Sequence, residues 1–262
     1  MCGILFVSQK KNNISKSNFL NILRSQKWRG PDNTSFKSFH NNKILLGHNR
    51  LSILDKKPRS NQPMVSEDGR FILIFNGEIY NYKEIIKKYK LKLKTTSDTE
   101  VILKGYILKG KNILNDLDGM FSMIIYDKKK LNWFCARDRF GIKPLYIYQD
   151  KIKTVIGSEA GSIAKLLKLK IDHISLKEWK LLRAPTPNFT FFKKLKQFPK
   201  SCYRTNASNR NISYYKLKKN NNKTNYKTIK NLINVSINSH QMGDVSCTSL
   251  LSGGIDSTII LK

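Results

Sequence analysis

The apolar residues in the first part of the chain occur in short runs separated by turn-forming residues. Five such runs predict strands, at residues 3–8, 43–48, 71–75, 121–126 and 133–136. Two stretches have helical spacing instead, 82–89 and 98–109, and in the second Val101, Ile102, Leu103, Tyr106 and Ile107 fall on one face. This order of strands and helices predicts a layered α+β domain.

The pattern changes after about residue 165. Residues 172–225 look irregular, with a proline-containing connector at 184–188 and a turn-rich loop at 206–211. Helical spacing returns at Tyr226 and continues to Met242, and a strand-like approach at 248–251 then leads into a glycine pair. We therefore predict a first domain at 2–165, a connector at 166–225 and the start of a second domain at 226–262.

Composition excludes several classes of protein. The 262 residues are 40% hydrophobic, which is typical of a globular protein, and their formal charge of +31 invites a nucleic-acid interpretation. The excess is mostly Lys, spread along the chain with Asn, and it lacks the clustered Arg and interleaved aromatics of a nucleic-acid interface. No apolar run approaches ~18 residues, and the first residues do not resemble a secretory signal. We expect a cytoplasmic protein with neither nucleic-acid nor membrane partners.

The four cysteines show neither C-x-x-C pairing nor metal-ligand spacing. Cys135 and Cys247 are expected to be small buried residues, and Cys202 carries no signal. Cys2 differs because removal of the initiator Met would leave its α-amine free beside its thiol. An α-amine with a pKa near ~7.7–8.0 is partly unprotonated at neutral pH. One residue would then supply both a nucleophile and a base.

Seven motifs accompany this cysteine in a fixed order. They are R-G-P-D (29–32), H-N-R-L-S-I-L-D (48–55), Q-P-M (62–64), N-G-E-I-Y-N (76–81), S-D-T-E-V (97–101), D-G-M-F-S-M (118–123) and A-R-D-R-F-G-I-K-P-L-Y (136–146). Over residues 2–160 the set closely resembles the class II glutamine amidotransferase domain of asparagine synthetases. The resemblance implies a four-layer αββα sandwich of the N-terminal-nucleophile hydrolase type.

The same resemblance assigns roles to individual residues. Cys2 would attack the side-chain amide of glutamine, giving a thioester and ammonia. The Asn76 side chain and the Gly77 N–H would hold the oxyanion, and a glycine there lets the backbone approach the substrate. Arg50 would bind the α-carboxylate of glutamine with a fork of donors. Asp98, helped by Glu78, would bind its α-ammonium. The other implied glutamine contacts are Leu51, Ser52 and Ile53.

Simpler interpretations of these residues remain open. Arg50 has the alternative of a surface charge, and Asp98 precedes a helix that it could merely cap. Arg137, Asp138 and Arg139 are expected to form a structural ion-pair cluster.

A second motif, L-L-S-G-G-I-D-S-T, lies at 250–258. It resembles the pyrophosphate loop of ATP-pyrophosphatase domains, which have an α/β (Rossmann-like) fold, and glycine-rich turns of this kind cradle phosphates. The resemblance implies that Leu251 borders the nucleotide and that Asp256 is also a Mg²⁺ ligand. The residues implied to hold pyrophosphate are Ser252, Gly253, Gly254, Asp256 and Ser257. The stretch 239–245 resembles the segment before that loop, whereas 246–249 and 158–163 depart from the family pattern.

Taken together, the motifs predict the N-terminal portion of a glutamine-dependent asparagine synthetase. Its ammonia would amidate aspartate through β-aspartyl-AMP, with ATP and Mg²⁺ serving the synthetase half and no cofactor serving the glutaminase half. We expect a truncated chain that releases ammonia from glutamine without making asparagine. The open alternatives are an amidotransferase with another acceptor, a stand-alone glutaminase remnant and a non-enzymatic interaction protein. A homodimer, or a separate chain carrying the rest of the synthetase domain, is equally open.

Overall fold

The computed structural model describes residues 1–183, 185–208, 210–217, 224–246 and 248–261. Its strands are β1 Gly3–Gln9, β2 Asn33–Phe39, β3 Ile44–Arg50, β4 Met64–Val65, β5 Phe71–Ile79, β6 Gly119–Asp127, β7 Asn132–Arg137, β8 Tyr146–Gln149, β9 Lys153–Gly157, β10 Leu195–Gln197, β11 Cys202–Thr205 and β12 Ile212–Ser213. Its helices are α1 Lys16–Ser25, α2 Tyr82–Tyr89, α3 Asp98–Lys109, α4 Ala160–Leu167, α5 His173–Leu182, α6 Tyr226–His240 and α7 Ile255–Leu261.

The strands form two antiparallel sheets of six strands each. The first has the order β10-β8-β9-β1-β3-β2, and the second has the order β12-β11-β7-β6-β5-β4. In β1, Ile4 and Phe6 point towards the second sheet, whereas Leu5 and Val7 point towards α1 and α4. In β5 the same alternation directs one set of side chains between the sheets and the other towards α2 and α3.

Three separate hydrophobic cores therefore lie between four layers, in the order helices, sheet, sheet, helices. This arrangement confirms the αββα prediction. It also explains why the strongest strand signals are continuous apolar runs, because a strand covered on both faces has no polar side.

Many predicted elements match the structure. The helices predicted at 82–89 and 98–109 coincide with α2 and α3, and all five predicted strands are present. Strand β5 continues four residues beyond its predicted end, through N-G-E to Ile79. Strand β2 was not predicted because its sequence N-T-S-F-K-S-F is mostly polar. It lies at the edge of the first sheet and is half-buried.

Two expectations about the later part of the chain need correction. Residues 172–225 are not simply irregular: they contain α5 and three short strands at the margins of the sheets, where β10 pairs with β8 and β11 lies between β12 and β7. These strands owe their order to the sheet edge rather than to their own pattern. Conversely, 248–251 forms no strand and is exposed, since no neighbouring strand pairs with it in the described residues.

Two cysteine expectations have different outcomes. Cys135 is buried in the core between the sheets, as predicted. Cys247 lies outside the described residues, as do Ala184, Asn209 and 218–223. Among the helices that the structure describes, none combines the length and the apolarity needed to cross a membrane.

His48 joins the two sheets through a hydrogen bond from its Nε2 to the carbonyl oxygen of Phe75, at 3.1 Å. The ring is fully buried, and burial lowers its pKa to about 3. An unfolded chain would bind a proton at His48 near pH 6.5, whereas the folded chain would not. The stability that this neutral histidine contributes is present above pH 6.5 and is lost as the pH falls towards 3.

We predict that His48 alone reduces the free energy of unfolding by about 1.4 kcal/mol for each pH unit below ~6.5. Urea unfolding between pH 7.5 and 5 should show this loss in the wild type and a shallower loss in His48→Gln. The exposed His173→Gln variant is the control and should keep the wild-type slope. Equal slopes in all three proteins would contradict the prediction.

Candidate active site

A cavity of about 290 Å³ opens where β1, β3, β5 and the start of α3 meet. Most of the predicted glutamine-site residues line it: Cys2, Arg50, Leu51, Ile53, Asn76, Gly77, Glu78 and Asp98. Ser52 does not line the cavity. Its N–H donates instead to the carboxylate of Asp32, at 2.7 Å.

The thiol of Cys2 lies against the turn that follows β3. The N–H of Leu51 donates to Sγ at 3.4 Å, and Sγ lies 3.7 Å from the carbonyl oxygen of the same residue. Burial raises the pKa of the thiol, and the hydrogen bond from Leu51 opposes that rise. The thiol is therefore protonated at neutral pH and needs a base to become a nucleophile.

Met1, which carries the amino terminus, also lines the cavity. Burial lowers the pKa of the α-amine at Met1, and the positive charges of Lys143 and Arg29 lower it further. Arg29 also holds the backbone of Cys2, because its Nε donates to the carbonyl oxygen of Cys2 at 3.2 Å.

Alternate N–H groups of β5 face the cavity side of the strand. The N–H of Phe75 donates to Gln62 Oε1 at 2.6 Å, and that of Ile79 donates to Asp98 Oδ2 at 3.0 Å. Gly77 lies midway between these two, so its N–H faces the same side. Phe121 lies opposite Gly77 on β6, but its N–H and its carbonyl oxygen both form hydrogen bonds with Asp138. Gly77 and Phe121 are therefore a non-hydrogen-bonded pair of the two strands.

Asn76 supplies a second donor beside the N–H of Gly77. Its side chain is 1% exposed, and within the described part of the chain Nδ2 has no hydrogen-bond partner. A buried, unpartnered amide N–H is costly unless a ligand accepts from it. The two donors can together hold an oxygen that carries negative charge.

Gly77 has a structural reason to be glycine besides close approach to a substrate. A Cβ at this position would lie 2.2 Å from the carbonyl oxygen of Met120. The pairing of β5 with β6 therefore excludes every larger residue there, whatever the cavity contains.

Asp98 is not the residue that caps α3. Ser97 does so, accepting a hydrogen bond from the N–H of Thr99 at 3.2 Å. The carboxylate of Asp98 lines the cavity instead and is 5% exposed. Burial raises its pKa to about 6, although the hydrogen bond from Ile79 favours the charged form. A buried carboxylate facing a cavity favours binding of a cation.

Arg50 is buried, and its guanidinium holds the loop after β3. Nη1 donates to the carbonyl oxygen of Lys57 at 3.0 Å and to Asn61 Oδ1 at 2.8 Å. Nη2 donates to the carbonyl oxygens of Leu54, at 3.2 Å, and of Asp55. All four terminal N–H groups thus have acceptors in this loop. A two-pronged contact with a carboxylate would replace some of these bonds.

Asp55 organises the site but was not predicted as a site residue. Its buried carboxylate accepts hydrogen bonds from the N–H of Thr96 at 2.9 Å and from Nε of Arg59 at 3.0 Å. Burial by itself would raise the pKa of Asp55, but these hydrogen bonds outweigh it and hold the pKa at about 2. The ionised side chain ties the loop around Arg50 to the segment before Asp98.

Lys143 is a second residue that sequence reasoning missed, although it lies within A-R-D-R-F-G-I-K-P-L-Y. It lines the cavity and is 6% exposed. Burial lowers its pKa, and the charges of Glu78 and Cys2 oppose that shift. A lysine directly following an isoleucine in a turn carries no distinguishing pattern of its own, so only the folded chain reveals its position.

The placement of Lys143 corrects the expectation for Arg137 and Asp138. Arg137 donates through Nε to the carbonyl oxygen of Lys143 and through Nη2 to that of Gly141, each at 2.7 Å. Asp138 accepts the N–H of Lys143 at 3.0 Å. These side chains are structural, as expected, but they bind the main chain of a turn rather than one another. Arg139 makes a long ion pair with Asp118, at 4.0 Å, and its Nη2 donates to the carbonyl oxygen of Asn115 at 3.3 Å.

The S-G-G-I-D-S stretch forms an exposed turn that leads into α7. The hydroxyls of Ser252 and Ser257 lie 3.1 Å apart, and Thr258 donates to the carbonyl oxygen of Gly254 at 2.9 Å. Gly253 has a φ of +78°, a conformation that favours glycine. In the part of the chain that the structure describes, no group of three or more His, Cys, Asp or Glu side chains is arranged to hold a metal ion.

The profile of the glutamine amidotransferase domain family matches residues 1–237. The chain therefore belongs to that family. A second profile, described as asparagine synthase, matches residues 228–262.

Several curated proteins are similar in sequence. A putative asparagine synthetase [glutamine-hydrolyzing] 2 of Methanocaldococcus jannaschii is 38% identical over 68% of this chain and 37% of its own length. Asparagine synthetase [glutamine-hydrolyzing] 1 of Bacillus subtilis is 31% identical over 100% of this chain and 43% of its own length. Asparagine synthetase B [glutamine-hydrolyzing] of Escherichia coli is 30% identical over 99% of this chain and 44% of its own length. The chain thus spans less than half the length of these relatives.

Solved structures agree with the fold. A glutamine phosphoribosylpyrophosphate amidotransferase from B. subtilis superimposes with a TM-score of 0.59 at 17% identity, over 82% of this chain and 49% of that one. A second structure, titled as the allosteric regulatory enzyme of purine biosynthesis, gives 0.58 at 16% identity, over 78% and 46%. At these identities the likeness shows the fold alone.

The position of Lys143 generates a prediction about the reactivity of Cys2. Removing a nearby buried positive charge should raise the pKa of the thiol and slow its alkylation by iodoacetamide at pH 7.5, by about three- to tenfold in Lys143→Met. Mass spectrometry of the peptide containing Cys2 measures the rate.

Two further variants make this test specific. Lys143→Arg keeps the charge and should react close to the wild-type rate, and Lys151→Met on an exposed turn should not differ from it. If Lys143→Met also reacted at the wild-type rate, its charge would play no part at the thiol.

Proposed function

We propose that this chain hydrolyses glutamine to glutamate and ammonia, with Cys2 as the nucleophile. The observation that carries the proposal is the convergence of complementary groups on one cavity. A thiol, two donors at Asn76 and Gly77 and a buried carboxylate at Asp98 all line it, together with the cation of Arg50. The family match and the names of the relatives support the same substrate.

The proposed chemistry begins at an amino terminus freed by removal of Met1. The α-amine of Cys2 takes the thiol proton, and Sγ forms a bond to the amide carbon of glutamine. The negative charge that develops on the amide oxygen is held by Asn76 Nδ2 and by the N–H of Gly77. The protonated amino terminus of Cys2 returns its proton to the leaving nitrogen, so ammonia departs and a thioester remains. Attack by water on the thioester then releases glutamate and restores the thiol.

The ends of the glutamine molecule would be held by opposite charges. Asp98, assisted by Glu78, would bind the α-ammonium, and Arg50 would bind the α-carboxylate. Main-chain groups of the turn after β3 would border the substrate, with Leu51 and Ile53 in the cavity wall and Ser52 beside it. The carboxylate would compete with the loop carbonyls that Arg50 contacts, so substrate binding and loop position would be linked.

We further propose that the ammonia serves asparagine synthesis, by amidating aspartate activated by ATP as β-aspartyl-AMP. The match of residues 228–262 and the names of the relatives support this use. In the exposed turn before α7, Leu251 would border the nucleotide and Asp256 would bind Mg²⁺. Ser252, Gly253, Gly254, Asp256 and Ser257 would hold pyrophosphate.

The proposed organisation and setting follow from the same assignment. The glutaminase unit would comprise 2–165 together with the short strands that 166–225 adds to its sheets, and a synthetase unit would begin at 226. The cytoplasm is the proposed location. The rest of the synthetase half, in the same or a separate chain, and a second copy of this chain are the proposed partners.

We expect Cys2→Ala to lower glutamine hydrolysis at least about a thousandfold, because the nucleophile is lost. An enzyme-coupled glutamate assay measures the rate. Cys202→Ala, in β11 and outside the cavity lining, serves as the matched control and should keep the wild-type rate. Appreciable hydrolysis by the Cys2→Ala protein would refute the assigned nucleophile.

The pKa of Asp98 predicts how glutamine binding depends on pH. The carboxylate must be ionised to hold the α-ammonium, and its pKa is about 6. Glutamine affinity should therefore be constant above pH 6 and fall about tenfold for each pH unit well below it. Calorimetric titration of the Cys2→Ala protein between pH 8 and 5 measures binding without turnover.

Two variants in the same background identify the group responsible. Asp98→Asn should bind glutamine weakly at every pH, and Glu78→Gln should retain the change near pH 6. Persistence of the pH dependence in Asp98→Asn would assign it to another group.

A further inference from the structure

The residues at the end of α6 lie against the loop that surrounds Arg50. We call residues 240–244 the bridging segment; they belong to the stretch 239–245, to which the proposed chemistry gives no role. Within this segment, Asp244 makes the polar contacts with the loop. Its N–H donates to the carbonyl oxygen of Ile53 at 2.8 Å, and its Oδ2 accepts the N–H of Asp55 at 2.8 Å. Two hydrogen bonds of opposite direction thus pin residues 53–55.

The bridging segment makes further contacts besides the two hydrogen bonds of Asp244. The ring of His240 lies on that of Tyr80, just beyond β5, with ring centroids 4.0 Å apart and planes 36° apart. Met242 packs against the core between the second sheet and its helices. Gly243 lies against Ile53, whose Cγ2 would be 3.1 Å from a Cβ at position 243.

This loop is the one that holds the guanidinium of Arg50. The carbonyl oxygens of Leu54 and Asp55 accept hydrogen bonds from Nη2 of Arg50. The carboxylate of Asp55 continues the chain of contacts to the N–H of Thr96, two residues before Asp98. The carboxylate of Asp244 is therefore connected through Asp55 to Arg50 and to the segment before Asp98, and it lies outside the cavity.

We infer that Asp244 is a positioning residue for the glutamine-binding loop, acting through Asp55 on Arg50. This inference rests on the proposed glutaminase function. Asp244 does not line the cavity, so it has no contact with the reacting atoms. Its loss should weaken substrate binding and leave the chemical step at Cys2 nearly unchanged. Asp244 precedes Ser252, in the proposed pyrophosphate-binding turn, by eight residues in the sequence.

The test uses glutaminase kinetics of the full chain. In Asp244→Ala, KM for glutamine should rise roughly fivefold or more while kcat stays within about twofold, because the loop loses a charge-assisted acceptor for the N–H of Asp55. Asp244→Asn should recover most of the affinity, since its amide oxygen can still accept the N–H of Asp55. Gln241→Ala is the control on the same segment, where no side-chain bond to the loop is lost, and it should match the wild type.

Amide hydrogen exchange gives a second measurement that does not depend on activity. The N–H of Asp55 should exchange faster in Asp244→Ala than in the wild type, with the amides of β1 and β5 unchanged. An unchanged KM, an unchanged exchange rate at Asp55 or an equal defect in Gln241→Ala would overturn the inference. A wild-type chain that releases no ammonia from glutamine would instead refute the proposed function, and the exchange measurement would still decide whether Asp244 holds the loop.

Discussion

The packing of β1 against β5 across the two sheets is the constraint on which the rest of the site depends. Ile4 and Phe6 of the first sheet meet Ile72 and Ile74 of the second in the central core. Because β1 begins at Gly3, this packing fixes the position of the residue immediately before it. Cys2, the proposed nucleophile, is thus held by an extended hydrophobic contact of the whole strand, with few polar contacts of its own.

The same packing explains why alternate residues of β5 contribute side chains to the core and N–H groups to the cavity. Its even-numbered side chains enter the core between the sheets, and Asn76 continues that series towards the nucleophile. Its odd-numbered residues direct their N–H groups to the cavity side, where Gln62 and Asp98 accept two of them. The N–H of Gly77 lies between these two acceptors. One strand therefore delivers both proposed oxyanion donors as a consequence of a period of two.

Around this core the buried charges are held mainly by main-chain groups. Arg50 binds loop carbonyls, Asp55 binds N–H groups on both sides of the loop, and Arg137 binds the turn that presents Lys143. Asp98 also accepts a main-chain N–H, that of Ile79, but burial remains the dominant influence on its pKa and raises it to about 6. Its carboxylate is the group most suited to receive a cation from the cavity. A carboxylate in this position would suit the α-ammonium of the proposed substrate.

The sequence by itself determined the layered fold, the strongest strands, helices α2 and α3 and the residues expected around glutamine. It could do so because continuous apolar runs require two covered faces and because N-G-E and S-D-T occur in a recognisable order. The sequence did not predict strand β2 or the short strands β10–β12, which lie at or next to the edges of the sheets, because such strands take their order from a neighbour. Only the tertiary structure decided that Ser97 caps α3 and frees Asp98, that Asp55 and Lys143 belong to the site, and that Asp244 supports it. Each of these depends on contacts between residues far apart in the chain, which no local pattern encodes.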